Sequence, residues 1–151
     1  MRNNFEIERA KSSDYDAVVV LLREANLPPD GIKLNMENFL IIRRPDAVAG
    51  PEFLIGSVGL EIYRDSGLLR SLAVHPDYQG KGLGSRLVES MIDFAKEKGI
   101  NWLFLLTDTA EKFFENKGWA VVTRDKVPED MKQSIEFTTI CTSSPSMMRE
   151  I

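Results

Sequence analysis

The sequence of 151 residues holds one cysteine, Cys141, and one histidine, His75. A single thiol closes no intramolecular disulfide and builds no cysteine cluster, and a lone imidazole supplies no histidine-rich site. No metal is therefore expected, and a reducing compartment suits the composition. Basic residues are outnumbered as well: 19 Lys and Arg stand against 23 Asp and Glu, a net charge of −4. A chain that grips phosphate backbone as its main task usually carries the opposite sign, so nucleic acid is not an expected partner. Apolar runs long enough to span a bilayer are missing, and Glu6, Glu8, Arg9 and Lys11 interrupt the first residues. The expectation is a cytoplasmic protein with no membrane partner and no signal peptide.

What remains is a composition of 43% hydrophobic and 28% charged residues, that of one globular domain over residues 1–151. Its tail from Thr142 to Ile151, rich in serine, is expected to be loosely held. Phe5 and Ile7 alternate with polar residues as a half-buried strand does, and Ser12-Ser13-Asp14 offers caps for a helix bearing Ala17, Val18, Leu21, Leu22 and Ala25 on one face. That helix should stop near Asn26, ahead of Pro28 and Pro29, and a second short helix is expected at Asn35–Asn38. Strands are expected at Phe39–Ile42 and Phe53–Tyr63 with a hairpin loop from Arg43 to Pro51, and again at Leu68–Val74, ended by Pro76.

Leu83, Leu87, Val88, Met91, Ile92 and Ala95 recur at helical spacing, with Gly99 placed for a left-handed cap. A buried strand at Trp102–Leu106, a short helix at Thr109–Lys117 and strands at Trp119–Thr123 and Ile135–Ile140 complete the order. Strands alternating with helices only in the second half imply an α/β (α+β) chain: a mixed sheet with helices on both faces.

The stretch most informative about chemistry is Val74-His75-Pro76-Asp77-Tyr78-Gln79-Gly80-Lys81-Gly82-Leu83-Gly84-Ser85, between a buried strand and the long helix. Three glycines at alternate positions let the backbone approach a ligand, and the first turn of the helix presents amides with no intrahelical partner. That combination binds anions, and Lys81 adds a cation that can meet a phosphate. The alternative is a glycine-rich turn that only makes room for packing. A dinucleotide loop needs G-x-G-x-x-G and a later acidic residue, and a Walker loop needs Ser or Thr after its lysine. Neither requirement is met here.

Gln79-Gly80-Lys81-Gly82-Leu83-Gly84, preceded by Leu72-Ala73-Val74-His75-Pro76, resembles the acyl-CoA loop of the GCN5-related N-acetyltransferases (GNAT), which move an acetyl group from acetyl-CoA to an amine. Ala110, Phe113, Phe114, Gly118 and Trp119 match a second element of that family, downstream and in the right order. The resemblance spans about Phe5 to Ile140 and implies the GNAT fold, a mostly antiparallel sheet whose central parallel strands, Leu68–Val74 and Trp102–Thr107, splay apart. It implies acetyl-CoA as cosubstrate, its pantetheine arm paired with the main chain of Leu72, Ala73 and Val74 like an added strand. The amides from Gly80 through Lys81, Gly82, Leu83 and Gly84 to Ser85 would hold the pyrophosphate, with Phe113 and Phe114 lining the far side.

Attack on a thioester needs a neutral amine, a proton acceptor and a donor for the tetrahedral oxyanion. The resemblance implies the backbone N–H near Val74 as that donor. It also implies a tyrosine for the leaving thiolate, but Phe114 stands in that place, with Tyr78 and Tyr63 only remote replacements. No side chain is assigned as general base: a water relay is the default, with Glu61 and His75 as candidates and a structural cap as the other role of His75. Arg70 interrupts an apolar strand, and alternation would put it on the face of Leu72. Such a charge needs either an anionic ligand or a protein carboxylate such as Glu136. Ser71 is a neighbour able to donate to the same group.

A narrower resemblance rests on Leu68-Leu69-Arg70-Ser71-Leu72-Ala73-Val74, on Leu106-Thr107-Asp108-Thr109-Ala110, and on Arg124, Pro128, Glu136-Phe137, Cys141 and Ser143 to Met147. These look like the arsenic-resistance branch, which acetylates the α-amine of arsinothricin and is similar to phosphinothricin acetyltransferases. That branch implies that Arg70 and Ser71 hold an acidic amino acid, with Thr107 and Thr109 as further contacts. Gln79, Lys81 and Ser134 depart from its usual residues. Two other readings stand beside it: a protein N-terminal or lysine acetyltransferase, and an acyl-CoA-binding sensor without turnover. Homodimers are common in the family, so a second copy is the protein partner it suggests.

Overall fold

Each of three helices ends where a residue turns left-handed, and the same pair of hydrogen bonds closes all three. In the computed structural model, which describes residues 5–44, 54–140 and 143–151, helix α1 (Tyr15–Glu24) stops at Asn26, with φ +58. Leu27 then donates to the Leu22 carbonyl and Asn26 to that of Arg23. Helix α2 (Leu83–Glu97) closes at Gly99 with Ile100 donating to Ala95, and α3 (Glu111–Glu115) closes at Gly118 with Trp119 donating to Phe114. This is the Schellman arrangement, which satisfies carbonyls that a helix end otherwise leaves open.

The strands are β1 (Ile7–Arg9), β2 (Phe39–Arg43), β3 (Leu54–Tyr63), β4 (Ser66–Val74), β5 (Trp102–Leu106), β6 (Ala120–Val122) and β7 (Ser146–Glu150). Among the described residues they form one sheet in the order β1-β2-β3-β4-β5-β7-β6. Antiparallel pairing joins β1 to β2, β2 to β3, β5 to β7 and β6 to β7. Strands β4 and β5 pair in parallel from Ser66↔Trp102 to Leu68↔Phe104, and both run on past that register. This is the mixed, mostly antiparallel sheet expected. Among the described residues no helix is long and apolar enough to cross a membrane.

By its contacts the chain divides into two compact units, Met1–Leu60 with Ser71–Asp93, and Glu61–Arg70 with Phe94–Ile151. In the first, Val18, Leu21 and Leu22 of α1 pack with Ile32, Met36, Phe39, Ile41, Leu54 and Ala73, the periodic residues on which the helix was read. In the second, Leu68 and Phe104 pack with Val127, Met131 and Phe137.

Two expectations are corrected. Residues Ile135–Ile140 do not form the last strand: Glu136–Ile140 is a π-helical turn. Ser134 organises it, its hydroxyl accepting from the Glu136 amide at 3.2 Å and its carbonyl from the amides of Phe137 and Thr138, both at 3.0 Å. Local bonds of this kind compete with a sheet ladder, and the alternation of Ile135 with Phe137 does not outweigh them. The strand is supplied by the tail instead. Ser146–Glu150, expected to be loosely held, lies between β5 and β6 with Met147 fully buried. Bonds from the Thr107 amide to the Pro145 carbonyl and from the Ile151 amide to the Asn101 carbonyl pin both its ends.

Smaller shifts are that α3 is shorter than Thr109–Lys117 and that Asn35–Asn38 belongs to a longer 3₁₀ segment, Ile32–Asn38. Of the expected hairpin loop, Arg43 ends β2 and Arg44 is described, while residues 45–53, with Cys141 and Thr142, lie outside the described residues.

The approach to α1 is held by charge. Arg43 at the end of β2 forks onto Asp14 at 2.8 and 2.7 Å, while the Lys11 amide donates to the same carboxylate at 2.8 Å and Glu8 takes the Arg43 Nε–H at 3.0 Å. Burial alone would raise the Asp14 carboxyl, but the Arg43 hydrogen bonds, the Lys11 amide and the guanidinium charge hold it below its ordinary value. Its stabilising effect is therefore present above the unfolded value near 3.8 and is lost as pH falls through the depressed one. Asp14→Asn should cost on the order of 2–3 kcal/mol at neutral pH, less than the ~3–5 of a fully buried pair because Arg43 stays partly exposed. In urea melts, the gap between wild type and variant should close as pH falls below 4 or so; a gap independent of pH would contradict the assignment.

Candidate functional site

In the first unit the site is built by main chain. Strand β4 carries Ser71 at φ +58, a left-handed residue in the middle of a strand. A non-glycine residue held there costs about 1–3 kcal/mol, and such strain gathers where structure serves a function. The kink also breaks the period-two alternation, so the expectation that Arg70 and Leu72 share a face does not carry through residue 71. Beyond it Leu72 and Val74 are half-buried and Ala73 is buried.

The turn after β4 is fixed by its own groups. The Tyr78 amide donates to the His75 carbonyl at 2.8 Å, and the His75 Nδ1 accepts from the Asp77 amide at 3.1 Å. His75 thus acts as the structural cap, with its ring edge-on to Tyr78, which also meets Phe5 edge-on. Gln79 turns back, its Nε2 donating to the Val74 carbonyl at 3.1 Å.

Gly80 and Gly82 then take φ +80 and +78, and a Cβ on either would meet no atom within 4 Å. Both are exposed, as is Lys81, while Leu83 is buried and anchors the helix start. The Arg86 amide donates to the Gly82 carbonyl, so the amides of Leu83, Gly84 and Ser85 lie ahead of that first helical bond. Exposed left-handed glycines running into a helix N-terminus offer donor groups of the kind that bind anions, with room beside them. Close packing does not require glycine at either position, whereas the positive φ does.

In the second unit Arg70 is only 3% exposed and is met by two carboxylates: Glu61 at 2.8 Å and Glu136 at 3.5 Å. Of the two kinds of partner the sequence allowed for Arg70, the structure shows protein carboxylates, Glu136 as expected and Glu61 beside it. Glu61 also accepts from the Tyr63 hydroxyl at 2.6 Å, so this candidate base is engaged on both oxygens. Burial, with the hydrogen bond and charge of Glu61, pushes the Tyr63 phenol well above its ordinary range and keeps it a donor.

Thr107 Oγ1 accepts from the Ala110 amide at 2.9 Å and so caps the entry to α3, whereas Thr109 is exposed. Phe114 is 4% exposed, edge-on to both Phe113 and Trp119, and contributes packing rather than a phenol. Among the described residues no cluster of three His, Cys, Asp or Glu side chains could hold a metal ion.

Sequence reasoning missed the left-handed Ser71 and the fully buried Ser57, whose hydroxyl donates to the Ser71 carbonyl at 2.8 Å. Gly56-Ser57 inside an apolar strand was the available signal, since a strand glycine often marks a bulge or close approach.

Residues 37–121 match the family model described as Acetyltransferase (GNAT) domain. The amino-acid acetyltransferase of Escherichia coli (strain K12) is 29% identical over 146 residues, covering 91% of this chain and 32% of that protein. The chain thus spans about a third of the length of the curated relatives it matches. N-acetylglutamate synthase from Neisseria gonorrhoeae, solved with coenzyme A and N-acetyl-glutamate, has a TM-score of 0.80 at 24% identity, over 99% of this chain and 36% of that one. PaiA N-acetyltransferase from Thermoplasma acidophilum, solved with coenzyme A, gives 0.71 at 16%, over 99% and 100%. These two likenesses are of fold.

Removing Arg70 would take the guanidinium from two buried carboxylates, Glu61 and Glu136. Arg70→Met should lower stability by about 3–5 kcal/mol at neutral pH. The added substitutions Glu61→Gln and Glu136→Gln should recover part of the loss. An unchanged denaturation midpoint for Arg70→Met would contradict the ion-pair assignment.

Proposed function

The chain belongs to the GNAT acetyltransferase family, and from that premise we propose that it is an acetyl-CoA-dependent N-acetyltransferase acting on the amine of a small amino acid. The observation that carries the reading is the run from β4 into α2, where Gly80 and Gly82 take positive φ beside open space and the helix amides begin. A diphosphate fits that donor set: main-chain N–H groups, a helix N-terminus and the Lys81 ammonium. The amides from Gly80 to Ser85 hold it, and the main chain of Leu72, Ala73 and Val74 takes the pantetheine arm as an added strand. When bound, acetyl-CoA supplies an acetyl group activated as a thioester.

The chain's own residues position and exclude more than they transfer protons. The Val74 amide is the donor assigned to the oxyanion. Glu61 is committed to Arg70 and Tyr63, and His75 Nδ1 to the Asp77 amide, so a water relay removes the proton of the acceptor amine. With Phe114 in the tyrosine place, solvent protonates the leaving thiolate.

The relatives named amino-acid acetyltransferases support a free amino acid over a protein amine. Within that class we assign glutamate-like toxins of the arsinothricin and phosphinothricin type, on the Leu68–Val74 phrase with Ser71 as a contact. A substrate carboxylate reaches Arg70 only by exchange with Glu136, the more distant of its two carboxylates at 3.5 Å against 2.8 Å. One observation favours a second reading, an acyl-CoA-binding sensor: Phe114 offers no proton to the thiolate.

Calorimetry with acetyl-CoA should show binding to the wild type and none to Gly82→Val. A β-branched residue at φ +78 costs roughly 1–2 kcal/mol of strain and fills the cradle. Free thiol should then appear with glutamate, arsinothricin or phosphinothricin. Binding without thiol release from any amino acid selects the sensor, and no binding at all contradicts both readings.

A further inference from the structure

Buried strand β3 is apolar at Leu54, Ile55, Val58 and Leu60, yet Ser57 sits among them with no exposure. A buried hydroxyl is costly unless bonded, and this one spends its proton on the carbonyl of Ser71, the residue at φ +58. The two facts explain each other. A left-handed residue in a strand turns its peptide groups from their usual direction, and the Ser57 hydroxyl bonds the carbonyl so turned. The residues beside Ser57 hold the rest of the turn. A Cβ on Gly56 would lie 3.3 Å from the Ala73 carbonyl and 2.9 Å from Leu87 Cδ1, and the Ile55 carbonyl accepts from the His75 amide at 2.7 Å. Ile55, Gly56 and Ser57 therefore brace β4 from Ser71 to His75, the stretch assigned above to the pantetheine arm.

We propose that Ser57 is a positioning residue: its hydroxyl latches the left-handed kink at Ser71 and so sets the direction in which Leu72, Ala73 and Val74 present their main-chain groups to the acyl carrier. The inference rests on the reading of residues 72–85 as the acyl-CoA site. It also explains why serine stands where alanine would pack. The latch acts on the backbone and touches neither substrate.

The test is calorimetric titration of the full chain with acetyl-CoA, with thermal unfolding followed in parallel. Ser57→Ala should weaken acetyl-CoA binding by about tenfold, the scale of one lost hydrogen bond in a buried setting. Glycine adopts positive φ without a latch, so Ser57→Ala with Ser71→Gly should bind acetyl-CoA within about twofold of Ser71→Gly alone. A merely structural serine would lower the unfolding temperature in Ser57→Ala without changing affinity and without rescue by glycine at 71; either outcome overturns the latch. Should Ser57→Ala not fold, Ser57→Cys, of similar size with a weaker donor, is titrated in its place, and wild-type affinity there overturns the latch as well. Failure of the wild type to bind acetyl-CoA overturns the site reading instead, and is told apart because it needs no variant.

Discussion

Three positive φ angles, at Ser71, Gly80 and Gly82, constrain the rest of the first unit. Each takes the backbone out of its usual region, and at Gly80 and Gly82 it leaves main chain exposed ahead of α2. Exposed main chain is useful only if it is held still. Helix α2, sealed at its far end by the Gly99 cap and buried along Leu83, Leu87, Val88 and Met91, fixes one side. The Ile55–Ser57 segment of β3 fixes the other. On the proposed reading, recognition of the acyl carrier then needs few side chains. Glycine in the turn and a bonded serine in the strand are two solutions to one problem, a backbone that must leave its usual region without a donor or acceptor being stranded.

The electrostatics of the second unit run differently. Arg70 sits between Glu61 and Glu136, with the Tyr63 hydroxyl closing the second oxygen of Glu61. Such a network is a weak contributor to stability in itself, yet breaking it is expensive, because a carboxylate without its partner stays buried. It also commits the one strand carboxylate that could serve as a base. Chemistry on the proposed reading therefore leans on placement and water, which proximity and a preorganised amide can support.

Which parts were legible in the sequence follows from what residue identity encodes. Glycine at 80 and 82 declares that positive φ is possible, and the spacing of Leu83 to Ala95 declares a helix, so the left-handed turn and the helix after it could be read in advance. Serine at 71 declares nothing of the kind, since a residue with a Cβ is found at positive φ only rarely and its identity does not announce it. Residues 135–140 failed for a related reason: Ile135 and Phe137 alternate like a strand, but Ser134 gathers local bonds that the alternation cannot register. Strand β7 was hidden because Ser143 to Ser146 look like a loose tail, whereas Met147 and Met148 were needed beside β5. For Arg70 the sequence allowed a carboxylate partner such as Glu136, and the geometry adds Glu61, which no spacing in the sequence indicated.

The most direct measurement is a crystal structure of the chain with coenzyme A. The account predicts diphosphate oxygens within hydrogen-bonding reach of amides between Gly80 and Ser85, and the pantetheine arm paired with the main chain of residues 72–74 beyond an unchanged kink at Ser71. Coenzyme A bound elsewhere, or bound with that loop rearranged and residues 72–74 unpaired, would contradict it.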